Sequence, residues 1–214
     1  MSARILSQLD QLLASLNDGL RTVFAPSPPP ARSNPADGLP EGELSRGQRD
    51  LSAGLMRVNH AGEVCAQALY RGQALSARER LVRDKMQQAS AEENDHLAWT
   101  EARLRELGTH TSYLNPLWYA GSFLIGATAG AIGDKWSLGF VAETERQVVA
   151  HLDRHLQRIP AHDQKSRAII SQMREDEGRH ATTAIEAGAA RLPLPVQQSM
   201  RLISKIMTRT AYWI

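Results

Sequence analysis

Two segments of this 214-residue chain each carry a glutamate three residues before a histidine, on the apolar side of a helical pattern. The two motifs are Glu93–His96 and Glu177–His180. Positions i and i+3 are neighbours on one face of a helix, so both side chains of a motif can reach one ion. Burying a carboxylate beside an imidazole costs free energy unless the groups are paired or bind a metal. The chain must therefore fold so that the two motif faces meet.

Helix phase distinguishes the acids that crowd each motif. At about 100° per residue, Glu177 falls inside the apolar stripe of its segment, whereas Glu175 and Asp176 fall outside it or at its edge. We expect those two to be solvated or to contact a metal ligand from outside. The same test selects Glu93 over Glu92 in the other segment.

A lone glutamate precedes each motif by the length of a helical hairpin. Glu63 precedes Glu93 by 30 residues, and Glu145 precedes Glu177 by 32. One glutamate from each of two helices, with Glu-x-x-His from two others, is the ligand inventory of a di-iron or di-manganese site in a bundle core. Two divalent ions would neutralise four buried carboxylates, which are otherwise costly. The predicted metal ligands are Glu63, Glu93, His96, Glu145, Glu177 and His180.

The hydrophobic pattern predicts an all-α chain. Four long helices are expected at 48–76, 79–107, 135–158 and 162–189, and Gly108 is the expected C-terminal glycine of the second. No strand-like alternation of useful length occurs. The predicted fold is a ferritin-like antiparallel four-helix bundle with one long apolar crossover and additional N- and C-terminal helices.

The N-terminal part differs from the rest in composition. We divide the chain into an amphipathic helix within 1–25, a proline-rich linker at 26–45, and the bundle domain at 46–214. Six prolines fall in residues 26–40, and each fixes φ and lacks an N–H donor. We therefore expect an irregular linker, with the first helix as a tether or lid.

The crossover at 111–134 is apolar and glycine-rich. A single membrane crossing would put the two halves of the site on opposite sides of the bilayer. The segment should instead pack on the bundle, form a dimer contact, or lie in a membrane interface. Its aromatic residues favour the interface, and its glycines allow close helix contact. The aromatic residues are Trp118, Tyr119, Phe123 and the adjoining Trp136, and the glycines are Gly121, Gly126, Gly130 and Gly133.

The last segment, 191–214, is basic and amphipathic, with no acid after Glu186. It suits an anionic lipid surface, or equally a docking helix with basic outer positions. The net charge of +2 is too small to indicate nucleic acid. The single cysteine, Cys65, excludes an intramolecular disulfide and is expected to be buried. The N-terminal pattern is that of neither a secretory signal nor a transit peptide.

Four strings together resemble the 5-demethoxyubiquinone hydroxylases of ubiquinone biosynthesis, a family of the ferritin-like di-iron superfamily. They are GLMRVNHAGEVCAQALYRGQ, EENDHLAWTEARLRELG, GFVAETERQVVAHL and REDEGRHATTAIEAGA. The resemblance covers about residues 45–214, and NHAGE is its most distinctive part. All six ligand positions of the family are matched by the six residues named above.

The resemblance implies two iron ions per chain, with Glu63 and Glu145 as terminal ligands and Glu93 and Glu177 as bridges. It implies hydroxylation of the ring of a polyprenylated quinone or quinol by O2, with an external electron donor and no catalytic residue beyond the ligands. It further implies a peripheral location on the cytoplasmic face of a bacterial-type membrane. Accessory ubiquinone-biosynthesis proteins are possible partners, and nucleic acid is not one.

The main alternative is a ferritin-like ferroxidase with the same six ligands. That function predicts a shell-forming surface and no apolar crossover. Three other histidines are left outside the ligand set. His60 faces away from Glu63, while His151 and His155 are either outer partners of ligands or surface residues. No glycine-rich dinucleotide fingerprint occurs, so a bound flavin or nicotinamide is not expected.

Overall fold

The structure is a computed structural model, and it describes residues 8–214. Those residues form seven α-helices and no strand, which confirms the all-α prediction. In chain order the helices are α1 (Gln8–Phe24), α2 (Arg46–Ser76), α3 (Arg80–Glu106), α4 (Asn115–Ile132), α5 (Asp134–Arg158), α6 (Gln164–Glu186) and α7 (Leu194–Trp213). The α2–α3 and α5–α6 hairpins form the four-helix bundle, while α4 and α7 pack along α2.

Local signals explain where the bundle helices begin and end. Ser45 caps α2 in a capping box, in which its hydroxyl accepts from the Gln48 amide at 3.3 Å and the Gln48 side chain accepts from the Ser45 amide at 2.9 Å. Gly108, with φ of +74°, ends α3 as predicted. Helix α6 ends at Glu186, three residues before the predicted end at 189, and Gly188 follows it with φ of +96°.

Two apolar clusters define the level at which the site lies. One contains Met56 and Trp99, and the other contains Tyr70 and Leu138. On each of α2, α3, α5 and α6, the predicted ligands fall in sequence between residues of the first cluster and residues of the second. The acids are thus a polar layer held between two apolar layers, because apolar residues on both sides of them must be buried.

The crossover helix α4 packs against α2 backbone to backbone. A Cβ added to Gly126 would lie 2.3 Å from the Leu69 carbonyl oxygen, and one added to Gly72 would lie 2.3 Å from the Phe123 carbonyl oxygen. The prediction of close helix contact is therefore confirmed at Gly126, and a similar approach occurs at Gly130, where an added Cβ would meet the Ser76 hydroxyl.

The same prediction is wrong for the other two glycines of the crossover. Gly121 is exposed, with nothing within 4 Å of an added Cβ, because it lies on the outer side of α4. Gly133 has φ of +144° and forms the break between α4 and α5. None of the helices within residues 8–214 is both long enough and apolar enough to cross a membrane.

The first helix contacts α2 and α4 and leaves much of its apolar side exposed. Leu13, Leu16 and Leu20 are exposed, while Val23 packs on the cluster that contains Tyr119. Of the apolar stripe expected for this helix, Ile5 lies outside the described residues, as do the side chains of Leu9 and Leu12.

Candidate metal centre

The six predicted ligands come from the four bundle helices and face one region of the core. Glu63 extends from α2, Glu145 from α5, and the two Glu-x-x-His motifs from α3 and α6. Four of the six, Glu63, Glu93, His96 and Glu177, offer ligand atoms that all lie within 4.8 Å of one another. All four are buried.

Glu93 and Glu177 each reach both histidines. Glu93 places Oε2 2.9 Å from His96 Nδ1 and Oε1 3.5 Å from His180 Nδ1. Glu177 places Oε2 3.0 Å from His180 Nδ1 and Oε1 3.2 Å from His96 Nδ1. Each of the two carboxylates thus has one oxygen beside each imidazole. A carboxylate that bridges two metal ions has the same arrangement.

The two remaining glutamates lie at the sides of this arrangement. Glu63 Oε2 is 3.4 Å from His96 Nδ1. Glu145 accepts a short hydrogen bond from the Tyr70 hydroxyl, but it is not among the four residues whose ligand atoms converge. Sequence reasoning missed Tyr70. Tyr70 is seven residues after Glu63, two turns along the same face of α2. This spacing could have predicted that its side chain lies near the acids.

Burial and mutual repulsion control the charge of the cluster. Burial, with the facing Glu93 carboxylate, raises the pKa of Glu63 well above its usual range. Burial and the Glu177 carboxylate do the same to the pKa of Glu145. Burial alone would lower the pKa of His180, but the Glu177, Glu93 and Glu145 carboxylates raise it to about 10. Burial therefore favours the neutral, protonated forms of Glu63 and Glu145. Burial acts in the same direction on Glu177, but hydrogen bonds from His180 and His96 lower the pKa of Glu177 and favour its ionised form; a bound cation would compete with the protons.

The donor set fits a pair of transition-metal ions. Carboxylate oxygens and imidazole nitrogens are ligands that iron and manganese accept, and the set contains no thiolate. Glu93 Oε1 is buried and has no hydrogen-bond partner among the described residues. A buried carboxyl oxygen without a hydrogen bond is costly, and an ion between Glu93 and His180 would satisfy it.

Each histidine is held from outside by another carboxylate. His96 Nε2 lies 2.9 Å from Asp176 Oδ2, and His180 Nε2 lies 2.7 Å from Glu92 Oε2. Such contacts fix the ring orientation and leave the other nitrogen free to bind metal. Asp176 is fully buried, so the expectation that it is solvated is wrong, and the alternative of an outer contact to a ligand is correct. Glu175 is exposed, as expected.

Of the three histidines that the prediction left outside the ligand set, His60 and His155 are buried and His151 is half-buried. Burial lowers the pKa of His60 to about 4. Burial also lowers the pKa of His151 to about 4 and that of His155 to about 2. The surface alternative is wrong for His155, whose ring lies 3.9 Å from that of His151 between centroids, under the cover of neighbouring helices. His151 instead lines a cavity beside the metal ligands.

That cavity, of about 290 Å³, lies among α2, α4, α5 and α7. Three predicted ligands, Glu63, Glu145 and Glu177, contribute to its wall, and most of the remaining wall is apolar. Cys65 also lines it and is half-buried rather than buried, because the cavity lies beside it. The space is enclosed on one side by the acids and on another by an apolar helix.

Helix α7 forms the outer wall of the cavity. Val196, Met200, Ile203 and Met207 face the space at spacings of four, three and four residues. This is the spacing of one helix face. The sequence pattern could therefore have predicted that these four residues face the same way. The pattern left open whether the face meets lipid or protein, and the structure places it over the acids.

The chain was compared with known proteins. The family model described as ubiquinone biosynthesis protein COQ7 matches residues 50–211. A protein of Nitrosococcus oceani is 60% identical over 214 residues, which are the whole of both chains. One of Nitrosomonas eutropha is 57% identical over 206 residues, 96% of this chain and 99% of its own. Both bear the name 3-demethoxyubiquinol 3-hydroxylase. This chain belongs to the family of the ubiquinone biosynthesis protein COQ7.

Proposed function

We propose that this chain is a monooxygenase that hydroxylates the ring of a polyprenylated demethoxyubiquinol in ubiquinone biosynthesis. The observation that carries the proposal is the apolar cavity whose wall includes Glu63, Glu145 and Glu177. A ring bound there would lie against the acids that converge on the metal site. The names and the full-length identity of the relatives support the same reaction.

The metal centre of this proposal is a pair of iron ions. Glu63, Glu93, His96, Glu145, Glu177 and His180 would hold the ions, and Glu93 and Glu177 each reach both imidazoles. When bound, the iron pair supplies the electrons that activate O2. Overall, one oxygen atom of O2 enters a ring C–H bond, and the other leaves as water after two electrons and two protons arrive from an external donor.

The protein's own groups would prepare this reaction. The Tyr70 hydroxyl holds Glu145, and Asp176 and Glu92 hold the two imidazoles in fixed orientations. Ligands held in this way need little reorganisation during turnover. The apolar wall contributed by α5 and α7 excludes water from the ring and so disfavours the loss of reducing equivalents to solvent.

We further propose that α4 and α7 lie on the membrane surface. Leu117 and Leu124 of α4 and Leu202 and Ile206 of α7 are exposed. The last helix also carries Arg201, Lys205 and Arg209, which suit anionic headgroups. A polyprenyl tail is insoluble in water, so its ring would enter the cavity between these helices from the lipid. The membrane of this proposal is a bacterial-type cell membrane, approached from its cytoplasmic face.

The test is the fate of labelled O2 in iron-loaded protein. With a short-tailed demethoxyquinol and a reductant, we expect one labelled oxygen atom in the ring of the product. Consumption of O2 by ferrous iron alone, with unchanged quinol, would contradict the proposal and favour a ferritin-like ferroxidase.

A further inference from the structure

The proline-rich residues 26–45, called the strap here, lie across the bundle helices that carry the two histidines. The Ala31 amide donates to Asp95 of α3 at 2.7 Å. Further along, Glu41 accepts from Arg103 at 2.7 Å and 3.0 Å. Between them Ala36 is buried in the apolar cluster that contains Trp99. The strap is therefore fixed to the bundle at several points, over the ligand-bearing part of α3 and α6.

Arg32 is the strap residue that reaches toward the metal centre. Its Nε donates to Asp95 Oδ2 at 2.6 Å and its Nη1 to Asp176 Oδ2 at 2.8 Å. Its guanidinium lies 4.9 Å from the centroid of the Trp99 ring. A planar guanidinium can bridge two carboxylates and stack on an aromatic ring at once, which lysine cannot do. Arg32 thereby ties α3 to α6 at Asp176.

Asp176 connects Arg32 to His96, a predicted metal ligand. Its Oδ2 atom is shared by Arg32 Nη1 and by His96 Nε2, which lies 2.9 Å away. His96 Nδ1 points to Glu63, Glu93 and Glu177. The chain of contacts thus runs from the strap, through one buried oxygen, to the imidazole that would bind one ion.

The other histidine lacks this support. His180 Nε2 contacts Glu92, whose side chain is 32% exposed and whose second oxygen accepts from Gln88 at 3.1 Å. The Asp176 side chain is 0% exposed. The two imidazoles of an otherwise symmetric ligand set are therefore held by unequal carboxylates, one buried under an arginine and one partly hydrated.

We propose that Arg32 is a positioning residue of the metal centre: through Asp176 it orients His96 and makes the ion bound there unlike the ion bound at His180. The inference rests on the two-metal centre of the proposed function. Arg32 shares the negative charge of Asp176, so the carboxylate draws less strongly on the His96 Nε2–H. Gln172 and Arg179 donate to the other oxygen of Asp176, at 3.1 Å and 2.6 Å, so the loss of Arg32 would admit water at Oδ2, the oxygen that faces His96, and would loosen the orientation of that ring.

The experiment compares the release of ferrous ions from iron-loaded protein to a chelator, together with the Mössbauer spectrum of the loaded protein. In Arg32→Gln, we expect one of the two ions to leave about tenfold faster, in line with changes to outer contacts of metal ligands. One of the two ferrous quadrupole doublets should change with it. Glu92→Gln should instead affect the other ion and the other doublet.

The control for a loosened strap is Glu41→Gln, which weakens a strap contact made to Arg103 and not to Asp176. It should lower the melting temperature without changing the ratio of the two release rates. Arg32→Lys keeps the charge but cannot bridge both carboxylates, so its release rate should lie between those of the wild type and Arg32→Gln. If Arg32→Gln does not fold, the release rates and the spectrum of Arg32→Lys test the inference instead.

Three results would overturn the inference. They are wild-type release and spectra in the Arg32 variants, equal acceleration of both ions, and the same effect in Glu41→Gln as in Arg32→Gln. A wild-type protein that binds no pair of ions would instead refute the proposed function, before any variant is compared.

Discussion

At the scale of single residues, the phase of each helix decides which acid faces the predicted metal site. Glu177 faces the core with His180, while Glu175 on the same turn is exposed. The same geometry places Glu93 in the core and Glu92 at its margin. Phase alone could not show that Asp176, at the edge of the stripe, is buried, because its partners His96 and Arg32 come from distant parts of the chain.

The first prediction concerns two acids on one turn. Glu177→Ala should abolish binding of the metal pair, because it removes a carboxylate that reaches both histidines. Glu175→Ala should keep the metal content of the wild type, because its side chain is exposed. Metal analysis of the two purified variants checks this. Equal metal loss in both would mean that the orientation of α6 is wrong.

The second prediction concerns the buried, uncharged histidines. An unfolded histidine has a pKa of about 6.5, whereas burial lowers the pKa of His155 to about 2 and that of His60 to about 4. Below pH 6.5 the unfolded chain therefore binds protons that the folded chain does not, and the free energy of unfolding falls. Each such histidine should cost about 2 kcal/mol between pH 7 and pH 5.

The variant His155→Gln isolates this effect. Its free energy of unfolding should fall less than that of the wild type between pH 7 and pH 5, by about 2 kcal/mol. Urea unfolding in excess chelator measures both, so that loss of metal does not contribute. Parallel pH profiles for the two proteins would show that His155 is not the buried neutral group described above.

At the scale of the elements, the bundle helices could be predicted and the strap could not. The four bundle helices begin and end within about three residues of the expected positions, because periodicity and caps such as Ser45 and Gly108 are local signals. The strap has no periodicity. Its path depends on single long-range contacts, such as that of Arg32 with Asp176, which spacing along the chain cannot reveal.

The third prediction tests the contact between α2 and α4. In Gly126→Ala, the new methyl group would lie 2.3 Å from the Leu69 carbonyl oxygen and 2.9 Å from its Cα, and neither backbone atom can move away cheaply. We expect a loss of about 1–3 kcal/mol in the free energy of unfolding. Gly121→Ala, in open space on the same helix, should instead gain up to about 1 kcal/mol. Thermal unfolding of both variants is the measurement, and a stable Gly126→Ala protein would contradict the packing.

At the scale of the whole molecule, three features lie in order from the core to the surface. They are the predicted metal site, the cavity and the exposed apolar helices. The acids lie between two apolar clusters, the cavity extends from them, and α7 covers the cavity with α4 nearby. The sequence indicated the site and the apolar crossover separately. It could not indicate their arrangement, because the docking of α7 depends on how four helices pack.

The fourth prediction tests this arrangement at the surface. Leu117→Asp and Leu124→Asp alter exposed residues on one side of α4, so the metal content should stay unchanged. Vesicle co-sedimentation and turnover of long-tailed quinol should both fall, while turnover of short-tailed quinol should persist. Phe123 is a poorer choice, because it stacks on Tyr119 and packs on α2.

The matched control is Leu81→Asp, an equally exposed leucine at the start of α3. It should leave both vesicle binding and turnover unchanged. Full turnover of long-tailed quinol by the α4 variants would argue against entry of the substrate from the membrane along this face.

The central claim is that six side chains from four helices hold a pair of iron ions. The most direct measurement is the metal content of the wild-type protein after anaerobic loading with ferrous iron and removal of unbound metal. We predict two iron ions per chain, with Mössbauer parameters of high-spin ferrous iron in a nitrogen and oxygen environment. Protein that is folded and retains no iron, or only one ion per chain, would contradict the account.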